Sequence, residues 1–370
     1  MIKRREFIKL SATAGIAASI PSAVFPQRKQ SEVKTSKATT MIWANLLHLG
    51  SNMWEDHPYI TWPNVSESIY RDDFNCKTCQ DAIVWGLRAY RPFLVFEEPV
   101  WNTVLQKMSD AGMNMVIVDL GDGVKYESHP EIAVKNAWSV DKLRLELAKI
   151  RNLGMEPIPK LNFATSHDAW LGEYSRMVST SEYYSVCQDL IQEVIEIFDT
   201  PRFFHLGMDE ETAQHQQTYN YAIMRQNDLW WDDLHFYVNE TEKKGVRSWI
   251  WSDYGWRHPE LFFKKMPKSV LQSNWYYGSG FDLAQLKEPS NNYVKFYNDL
   301  ENYGYDQVPT GSNWSNDTNM EDTVDYCKKI IDPTRLLGFM TAPWLPTLST
   351  CLDKHLEAIN QINRAIKNNY

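Results

Sequence analysis

The chain has 370 residues, enough for one large α/β barrel with insertions or for two smaller domains. Its formal net charge is −9, and residues 1–30 hold six Lys/Arg and one Glu, so the remainder carries −14. An acidic surface argues against nucleic acid and anionic membranes as partners. Aromatic residues make up 13% of the chain, and such side chains suit a carbohydrate surface because sugar C–H faces stack on rings.

The first residues have the layout of an export signal. Lys3-Arg4-Arg5-Glu6-Phe7-Ile8-Lys9 precedes a small and apolar run from Leu10 to Ile20, which predicts a twin-arginine signal over residues 1–25. Residues 26–40 lack aromatic side chains and predict a polar linker before a single folded domain over residues 41–370. No other stretch approaches the roughly 18 consecutive apolar residues of a membrane span. We therefore expect export to the periplasm or the cell surface, without stable membrane insertion beyond the signal.

The cysteine pattern favours neither a disulfide framework nor a metal site. The count of five is odd and low for this length. Cys76 and Cys79 form a lone Cys-x-x-Cys, and no second pair or His-rich segment completes a zinc spacing. We interpret them as ordinary side chains or one local disulfide, and we expect no metal and no organic cofactor.

From residue 41 onward, short apolar runs alternate with amphipathic helical stretches, as in repeated βα units. Eight strands are predicted, at Ile42–Leu49, Met113–Leu120, Glu156–Phe163, Phe203–Met208, Val246–Trp251, Ser269–Tyr276, Gln307–Ser312 and Leu336–Ala342. The predicted helices are Trp101–Ala111, Asp141–Leu153, Ser181–Phe198, Asp228–Lys244, Tyr293–Tyr303, Met320–Ile331 and Leu352–Lys367. Between a helix and the next strand lie glycines typical of helix C-caps, namely Gly112, Gly154, Gly245 and Gly304.

Eight such units at this length predict a closed (β/α)8 TIM barrel of the α/β class. No glycine-rich phosphate fingerprint follows the first strand, which disfavours a dinucleotide-binding fold. Residues 50–98 are too many for an ordinary βα loop and include Trp54, Trp62 and Trp85. We interpret them as an insertion, either over the mouth of the barrel or as a surface excursion.

Functional groups of such barrels lie at the carboxyl ends of the strands, so the strand list itself nominates a site. Carboxylates and histidines follow strands two to five, while aromatic side chains follow strands five to eight. In chain order these candidates are Asp119, Asp122, Asn162, His167, Asp168, His205, Asp209, Glu210, Glu211, Trp251, Asp253, Asn274, Trp275, Tyr276, Asn313, Trp314 and Trp344. Together they describe a sugar-sized pocket with acid chemistry.

The fourth strand is the most informative, because Phe203-Phe204-His205-Leu206-Gly207-Met208 runs directly into three carboxylates. Alternation along a strand predicts His205, Gly207 and Asp209 on one face, with Glu210 free to turn inward where the strand ends. A protonated Glu210 could then donate to a leaving-group oxygen while an ionised Asp209 holds a second group. Simple N-capping of the following helix would explain the same acidic cluster.

These residues resemble a known family. His205-Leu206-Gly207-Met208-Asp209-Glu210 is similar to the His-x-Gly-Gly-Asp-Glu motif of family 20 glycoside hydrolases, the β-N-acetylhexosaminidases. The segment from Glu156 to His167 resembles the family's third strand, and Trp251-Ser252-Asp253 its fifth. Ser273 to Tyr276 is similar to its sixth strand, and Leu337-Gly338 with Trp344 to its last. The likeness covers roughly residues 100 to 345, and the Asp-Glu strand is its specific part.

The resemblance implies that Glu210 is the general acid/base and that Asp209 orients a substrate 2-acetamido group, whose oxygen attacks the anomeric carbon. Such substrate-assisted retention uses no metal or cofactor. It implies a carbohydrate substrate. For its binding residues the strand ends nominate His205, His167, Asp119, Trp251, Asp253, Trp275, Tyr276, Trp314 and Trp344. The chain departs from the family at the first strand, which has no Arg, at Met208 in place of the second motif Gly, and at Thr165-Ser166-His167 in place of Pro-Gly-His.

Three other readings remain open at the level of sequence. A retaining glycosidase with two separated carboxylates would pair Glu210 with Asp119 or Asp253. A sugar-binding barrel without turnover would keep the fold but not the chemistry, and the missing arginine favours it slightly. A metal hydrolase using His205, Asp209 and Asp253 is disfavoured because the first strand has no His-x-His.

Overall fold

The computed structural model of the protein describes residues 40–56, 90–217 and 219–368. The predicted export signal, the linker up to residue 39 and the insertion from residue 57 to residue 89 lie outside the described residues. Trp62, Trp85, Cys76 and Cys79 therefore lie outside them as well.

All eight predicted strands are present and form one parallel sheet. They are β1 (Ile42–His48), β2 (Met115–Asp119), β3 (Glu156–Lys160), β4 (Phe203–His205), β5 (Arg247–Trp251), β6 (Leu271–Ser273), β7 (Thr310–Gly311) and β8 (Gly338–Thr341). The spatial order is β6-β5-β4-β3-β2-β1-β8-β7. Parallel bridges from Gln272 to Gln307 and from Trp275 to Thr310 join the two outer strands, so the sheet closes into the predicted barrel.

Each strand is followed by a helix on the outside of the barrel. The helices are α1 (Glu98–Asp110), α2 (Val140–Asn152), α3 (Ser181–Ile197), α4 (Leu229–Glu242), α5 (Pro259–Lys265), α6 (Ser290–Asn302), α7 (Asn319–Ile330) and α8 (Leu352–Asn368). Among the described residues, no helix combines the length and the apolar character needed to cross a membrane. The helix α5 was not predicted, because it is only seven residues long, begins at Pro259 and follows closely on Gly255.

Local sequence explains where several helices begin and end. The Ser139 side chain caps α2 by accepting from the Lys142 N–H at 3.1 Å, and Thr180 caps α3 by accepting from the Tyr183 N–H at 3.3 Å. The four glycines predicted as C-caps all have φ between 71° and 80°, a left-handed conformation that glycine adopts at little cost. These glycines turn the chain from a helix into the next strand.

The core has two layers, as expected for a barrel with an outer ring of helices. One layer fills the barrel interior with side chains that include Ala44, Ile117, Ile158, Trp249 and Met340. The other lies between the sheet and the helices and is far larger. Burying a large apolar side chain contributes about 1.5–3 kcal/mol, so these two layers supply most of the stabilisation that holds the strand ends in place.

Several strands are shorter than predicted, most of all β6, which covers Leu271–Ser273 instead of Ser269–Tyr276. The shortening of β4 is the one that bears on the predicted chemistry. The prediction continued β4 to Met208, but regular pairing ends at His205. Gly207 and Met208 have φ values of 72° and 73°, which no β-strand accommodates. The residues that carry the predicted chemistry therefore lie on a tightly turned loop and not on the strand itself.

Candidate active site

The loop after β4 has an unusual backbone. Gly207, Met208 and Glu210 all have φ in the left-handed region, at 72°, 73° and 54°. For residues other than glycine this conformation costs on the order of 1 kcal/mol or more and persists only where the surroundings enforce it. The side-chain alternation expected along the strand does not continue, yet Asp209 and Glu210 both reach the same cavity. The turn thus brings two adjacent carboxylates to one side.

Asn162, just beyond β3, holds this turn. Its Oδ1 accepts from the Met208 N–H at 3.2 Å, and its Nδ2 donates to Asp209 Oδ1 at 2.8 Å. A Cβ at position 207 would lie 1.9 Å from Asn162 Oδ1, so only glycine fits there. The Ser166 hydroxyl adds a third contact by donating to the Asp209 carbonyl at 3.0 Å. Because Oδ1 of Asp209 is occupied, its Oδ2 is left to face other partners.

His167 lies against both carboxylates. Its Nε2 is 3.2 Å from Glu210 Oε2 and 3.5 Å from Asp209 Oδ2. Burial alone would lower the pKa of His167, but the charges of Asp209 and Glu210 and the hydrogen bond to Glu210 raise it above its ordinary value. When His167 is protonated, its positive charge therefore attracts both carboxylates and holds them near each other.

Asp253, after β5, fixes the backbone of Glu210 from the opposite side. Its Oδ2 accepts from the Glu210 N–H at 2.9 Å. Burial and the nearby charge of Asp209 raise the pKa of Asp253 to about 8. We therefore expect Asp253 to be protonated at neutral pH, where it acts as a neutral acceptor.

A second histidine contacts Glu210 from the loop between β4 and α4. His215 Nε2 is 3.4 Å from Glu210 Oε1, the oxygen that His167 does not contact. The other ring nitrogen of His215, Nδ1, is 2.8 Å from the Thr212 hydroxyl, which holds the imidazole in this orientation. The two oxygens of Glu210 thus each have an imidazole partner.

The third carboxylate of the cluster has a different environment. Glu211 forms a two-pronged ion pair with Arg225, with Nη2 to Oε2 at 2.6 Å and Nε to Oε1 at 3.1 Å. Arg225 also donates to Asp233 Oδ2 at 3.0 Å and to the Phe163 carbonyl at 2.7 Å. Both members of the pair are almost completely buried. Glu211 therefore fastens the loop and does not face the cavity.

The cavity at the mouth of the barrel has a volume of about 250 Å³. It is enclosed mainly by aromatic side chains, with the acidic pair and His167 on one side. The lining residues are Met53, Trp54, Asn162, His167, Asp209, Glu210, Trp275, Tyr277, Trp314 and Trp344. A mostly apolar wall with a few convergent polar groups is typical of a small-ligand site.

The aromatic side chains of the cavity wall hold one another in place by a hydrogen bond and by ring stacking. The Trp344 indole N–H donates to the Tyr277 hydroxyl at 3.1 Å, and Tyr277 stacks on Trp275 with ring centroids 5.0 Å apart. Trp314 is 40% exposed at the edge of the cavity. Trp54, from the described start of the insertion, meets His167 edge to face at 5.9 Å. Rigid rings on several sides offer flat surfaces to a pyranose.

The structure brings seven of the predicted site residues to this cavity, namely Asn162, His167, Asp209, Glu210, Trp275, Trp314 and Trp344. Asp253 acts behind Glu210 as described. Tyr276 points elsewhere: its hydroxyl donates to the Ser279 carbonyl at 3.3 Å and its ring meets Phe281, while the neighbouring Tyr277 lines the cavity. Trp251 is buried in the barrel interior.

His205 is also part of the interior. Its Nδ1 accepts from the Gly207 N–H at 3.1 Å, and its ring lies against Trp251 with centroids 4.6 Å apart. Burial, together with the nearby Lys160, holds the pKa of His205 well below its ordinary value. His205 is therefore neutral and supports the β4 turn from below.

Asp119 does not line the cavity either. It is buried and forms an ion pair with Lys160 at 2.6 Å, while His48 Nδ1 lies 3.1 Å from the same carboxylate oxygen. Burial would raise the pKa of Asp119, but Lys160 and His48 outweigh it and lower the value to about 2. Asp119 is thus an ionised group that stabilises a buried cation beneath the cavity.

Sequence reasoning missed Met53, Trp54 and Tyr277 as lining residues and His215 as a partner of Glu210. Tyr277 directly follows Tyr276, the predicted end of the sixth strand, so the nearby aromatic run was an available indication, although β6 itself ends at Ser273. His215 and Arg225 lie in a loop whose long-range contacts leave no local pattern in the sequence.

Comparisons with known proteins agree on the fold. No family model matches the chain, and no curated protein sequence is detectably related to it. Among solved structures, the β-N-acetylhexosaminidase from Bacteroides fragilis is similar with a TM-score of 0.53 and 11% identity, over 87% of this chain and 65% of that one. Dispersin B gives 0.51 and 14% identity, over 73% and 95%. The N-acetyl-β-hexosaminidase from Streptomyces plicatus gives 0.51 and 10% identity, over 72% and 60%.

The chain thus spans less than two thirds of the length of two of these three relatives. At such low identity the likeness is one of fold, and it confirms the predicted TIM barrel. It also agrees with the resemblance to family 20 glycoside hydrolases that the β4 motif indicated.

Proposed function

We propose that this protein is a glycoside hydrolase that cleaves β-linked N-acetylhexosamine residues from a carbohydrate. The observation that carries the proposal is the placement of adjacent carboxylates, Asp209 and Glu210, at one side of a cavity enclosed by aromatic rings. The barrel fold shared with two N-acetylhexosaminidase structures supports the same chemistry.

Glu210 is the general acid/base in this proposal. Protonated, it donates to the glycosidic oxygen as the bond to the anomeric carbon breaks, and as a carboxylate it later takes a proton from the attacking water. The flanking imidazoles of His167 and His215 hold its two oxygens at 3.2 Å and 3.4 Å. They orient the carboxyl group and provide routes for proton exchange.

Asp209 orients the 2-acetamido group of the substrate. Its Oδ1 is already held by Asn162, so its Oδ2 accepts from the acetamido N–H. This contact turns the acetamido oxygen toward the anomeric carbon, which it attacks as the leaving group departs. Water then attacks the anomeric carbon from the face that the leaving group has left, and its proton goes to Glu210. The bond between the anomeric carbon and the acetamido oxygen breaks, so the sugar is released with retained configuration.

The alternative in which Glu210 works with Asp119 is not supported by the contacts of Asp119. That carboxylate is buried and paired with Lys160 and is not part of the cavity wall. A nucleophile has to reach the anomeric carbon directly, and Asp119 would first have to break its ion pair. The substrate-assisted route avoids this requirement.

The test is hydrolysis of aryl β-glycosides, with and without a 2-acetamido group, by the wild-type protein and its Glu210→Gln variant. We expect activity only on the N-acetyl substrates, and a loss of kcat of about 10²–10⁴-fold in the variant because general acid catalysis is removed. Glu182→Gln, at an exposed position of α3, is the matched control and should retain activity.

Two results would count against the proposal. Equal activity on 2-hydroxy and 2-acetamido substrates would indicate a protein nucleophile. Saturable binding of N-acetyl sugars without hydrolysis, unchanged in Glu210→Gln, would indicate a sugar-binding barrel without turnover.

A further inference from the structure

The most unusual feature of the cavity wall is how closely nitrogen and oxygen atoms converge on it. One ligand-type atom each from His167, Asp209 and Glu210 lies within 4.8 Å of the other two. Within the described ranges 40–56, 90–217 and 219–368, no other set of three histidine, cysteine or acidic side chains converges in this way. The reaction proposed above uses these groups for proton transfer and for orienting the substrate. It does not explain why three atoms that could bind a metal ion lie so close together.

The distances match the geometry of a bound transition-metal ion. Zn²⁺ binds imidazole nitrogen and carboxylate oxygen at about 2.0–2.2 Å in a tetrahedral arrangement, which separates neighbouring ligand atoms by about 3.3–3.6 Å. His167 Nε2 lies 3.2 Å from the nearer Glu210 oxygen and 3.5 Å from the nearer Asp209 oxygen. Little movement would be needed for these three atoms to share one ion.

His215 flanks Glu210 on the side opposite His167 and is not part of the converging group. Its Nε2 faces Glu210 Oε1 at 3.4 Å, and its Nδ1 is held by the Thr212 hydroxyl at 2.8 Å. His215 therefore orients the Glu210 carboxylate, and the three converging side chains supply the donors.

We propose that His167, Asp209 and Glu210 form a binding site for a divalent transition-metal ion such as Zn²⁺, and that the bound ion blocks the cavity. The blocking role rests on the proposed hydrolase function, because the ion occupies the carboxylates needed for acid catalysis and for orienting the substrate. Metal binding itself does not depend on that function. Mixed nitrogen and oxygen donors favour Zn²⁺ over Mg²⁺, which prefers six oxygen ligands.

The first experiment measures metal binding without substrate. The full chain, stripped with a chelator, is titrated calorimetrically with ZnCl₂ and separately with MgCl₂. We expect one Zn²⁺ per chain and no comparable binding of Mg²⁺. His167→Gln and Glu210→Gln should each weaken Zn²⁺ binding at least about tenfold, because each removes one donor. His235→Gln is the matched control. His235 lies on α4, its Nε2 is beside the carbonyl of Lys265 at the end of α5, and among the described residues it faces no carboxylate.

Absence of Zn²⁺ binding, or an affinity unchanged in His167→Gln, would overturn the site. An affinity unchanged in Glu210→Gln would overturn it equally. Because the Glu210 side chain is partly exposed, its variant tests the proposal even where His167→Gln does not fold.

The second experiment asks whether the ion blocks the cavity. In the wild-type protein, Zn²⁺ should inhibit hydrolysis competitively with an N-acetyl substrate, and a chelator should restore the rate. Zn²⁺ binding without inhibition would overturn the blocking role. Zn²⁺ binding by a protein that hydrolyses no glycoside would contradict the proposed function and leave the metal site standing, so the two failures are distinguishable.

Discussion

Asp253 is a buried carboxyl group whose protonation links stability to pH. In the unfolded chain its pKa is close to the ordinary value of 3.8, whereas in the folded protein burial and the charge of Asp209 raise it to about 8. Between these values the folded protein holds a proton that the unfolded chain has lost. The free energy of unfolding contributed by this group therefore falls as the pH rises, by up to about 1.4 kcal/mol per pH unit, until the folded-state pKa is passed.

Asp253→Asn removes this dependence, because an amide has no proton to lose in this range. We expect the stability of the variant relative to the wild type to increase between pH 5 and pH 8, since only in the wild type does ionisation of residue 253 favour the unfolded chain over the folded protein. Urea unfolding at a series of pH values measures this difference. A difference that stays constant across the series would show that Asp253 ionises normally in the folded protein.

The same residue shows why sequence predicts residue types at a site better than their roles. The strand ends predicted Asp253 and Glu210 at one edge of the barrel, and both are there. The two residues do not act as a pair of acids that face a substrate. Instead, Asp253 accepts a hydrogen bond from the backbone N–H of Glu210. The prediction was also wrong by one residue at the sixth strand, where it named Tyr276 but Tyr277 lines the cavity. The chain turns after β6, so strand alternation no longer determines which ring faces the cavity.

At the scale of elements, the loop between β4 and α4 is anchored by the buried pair of Glu211 and Arg225. Arg225→Met would leave the Glu211 and Asp233 carboxylates buried without their cation, so we expect a loss of about 3–5 kcal/mol in the free energy of unfolding. Asp306→Asn breaks a more exposed pair with Arg247 and should cost about 1 kcal/mol or less. Equilibrium urea unfolding of the two variants tests the contrast.

The pair also predicts coupling between the two partners. Once Arg225 has been replaced, Glu211 no longer gains from being ionised, so adding Glu211→Gln should restore part of the lost stability. Strict additivity of the two substitutions would argue that the pair does not hold the loop. Because Glu211 follows Glu210 directly, a loosened loop should also lower kcat.

The elements themselves followed from the sequence because parallel barrel strands are buried on both faces and appear as continuous apolar runs. These apolar runs located all eight strands, and the amphipathic stretches between them located every long helix. It could not show that β4 ends at His205, since the left-handed turn at Met208 and Glu210 is imposed by Asn162 and Asp253 from neighbouring strands. Such tertiary constraints have no counterpart in local periodicity.

At the scale of the whole molecule, the barrel keeps two sets of charged side chains apart, one buried within the barrel and one at the cavity. Asp119 and Lys160 pair within the barrel below the cavity, while Asp209 and Glu210 face the cavity itself. Lys160 is fully buried, so its pairing with Asp119 offsets the cost of placing an ammonium group in the core. The sequence nominated Asp119 as a substrate contact, because the presence of an acid at a strand end does not reveal which buried cation it meets.

The predicted export signal bears on where the whole molecule works, and it lies outside the described residues. Arg4 and Arg5 are adjacent and precede Phe7 and an apolar run, the arrangement on which twin-arginine export depends. In a bacterial host we expect Arg4→Lys/Arg5→Lys to keep the protein in the cytoplasm, because the charge is preserved while the paired guanidinium groups are lost. Fractionation followed by immunodetection measures the distribution, and Arg28→Lys in the predicted linker is the matched control. Equal export of the doubly substituted and control proteins would assign the segment to another route.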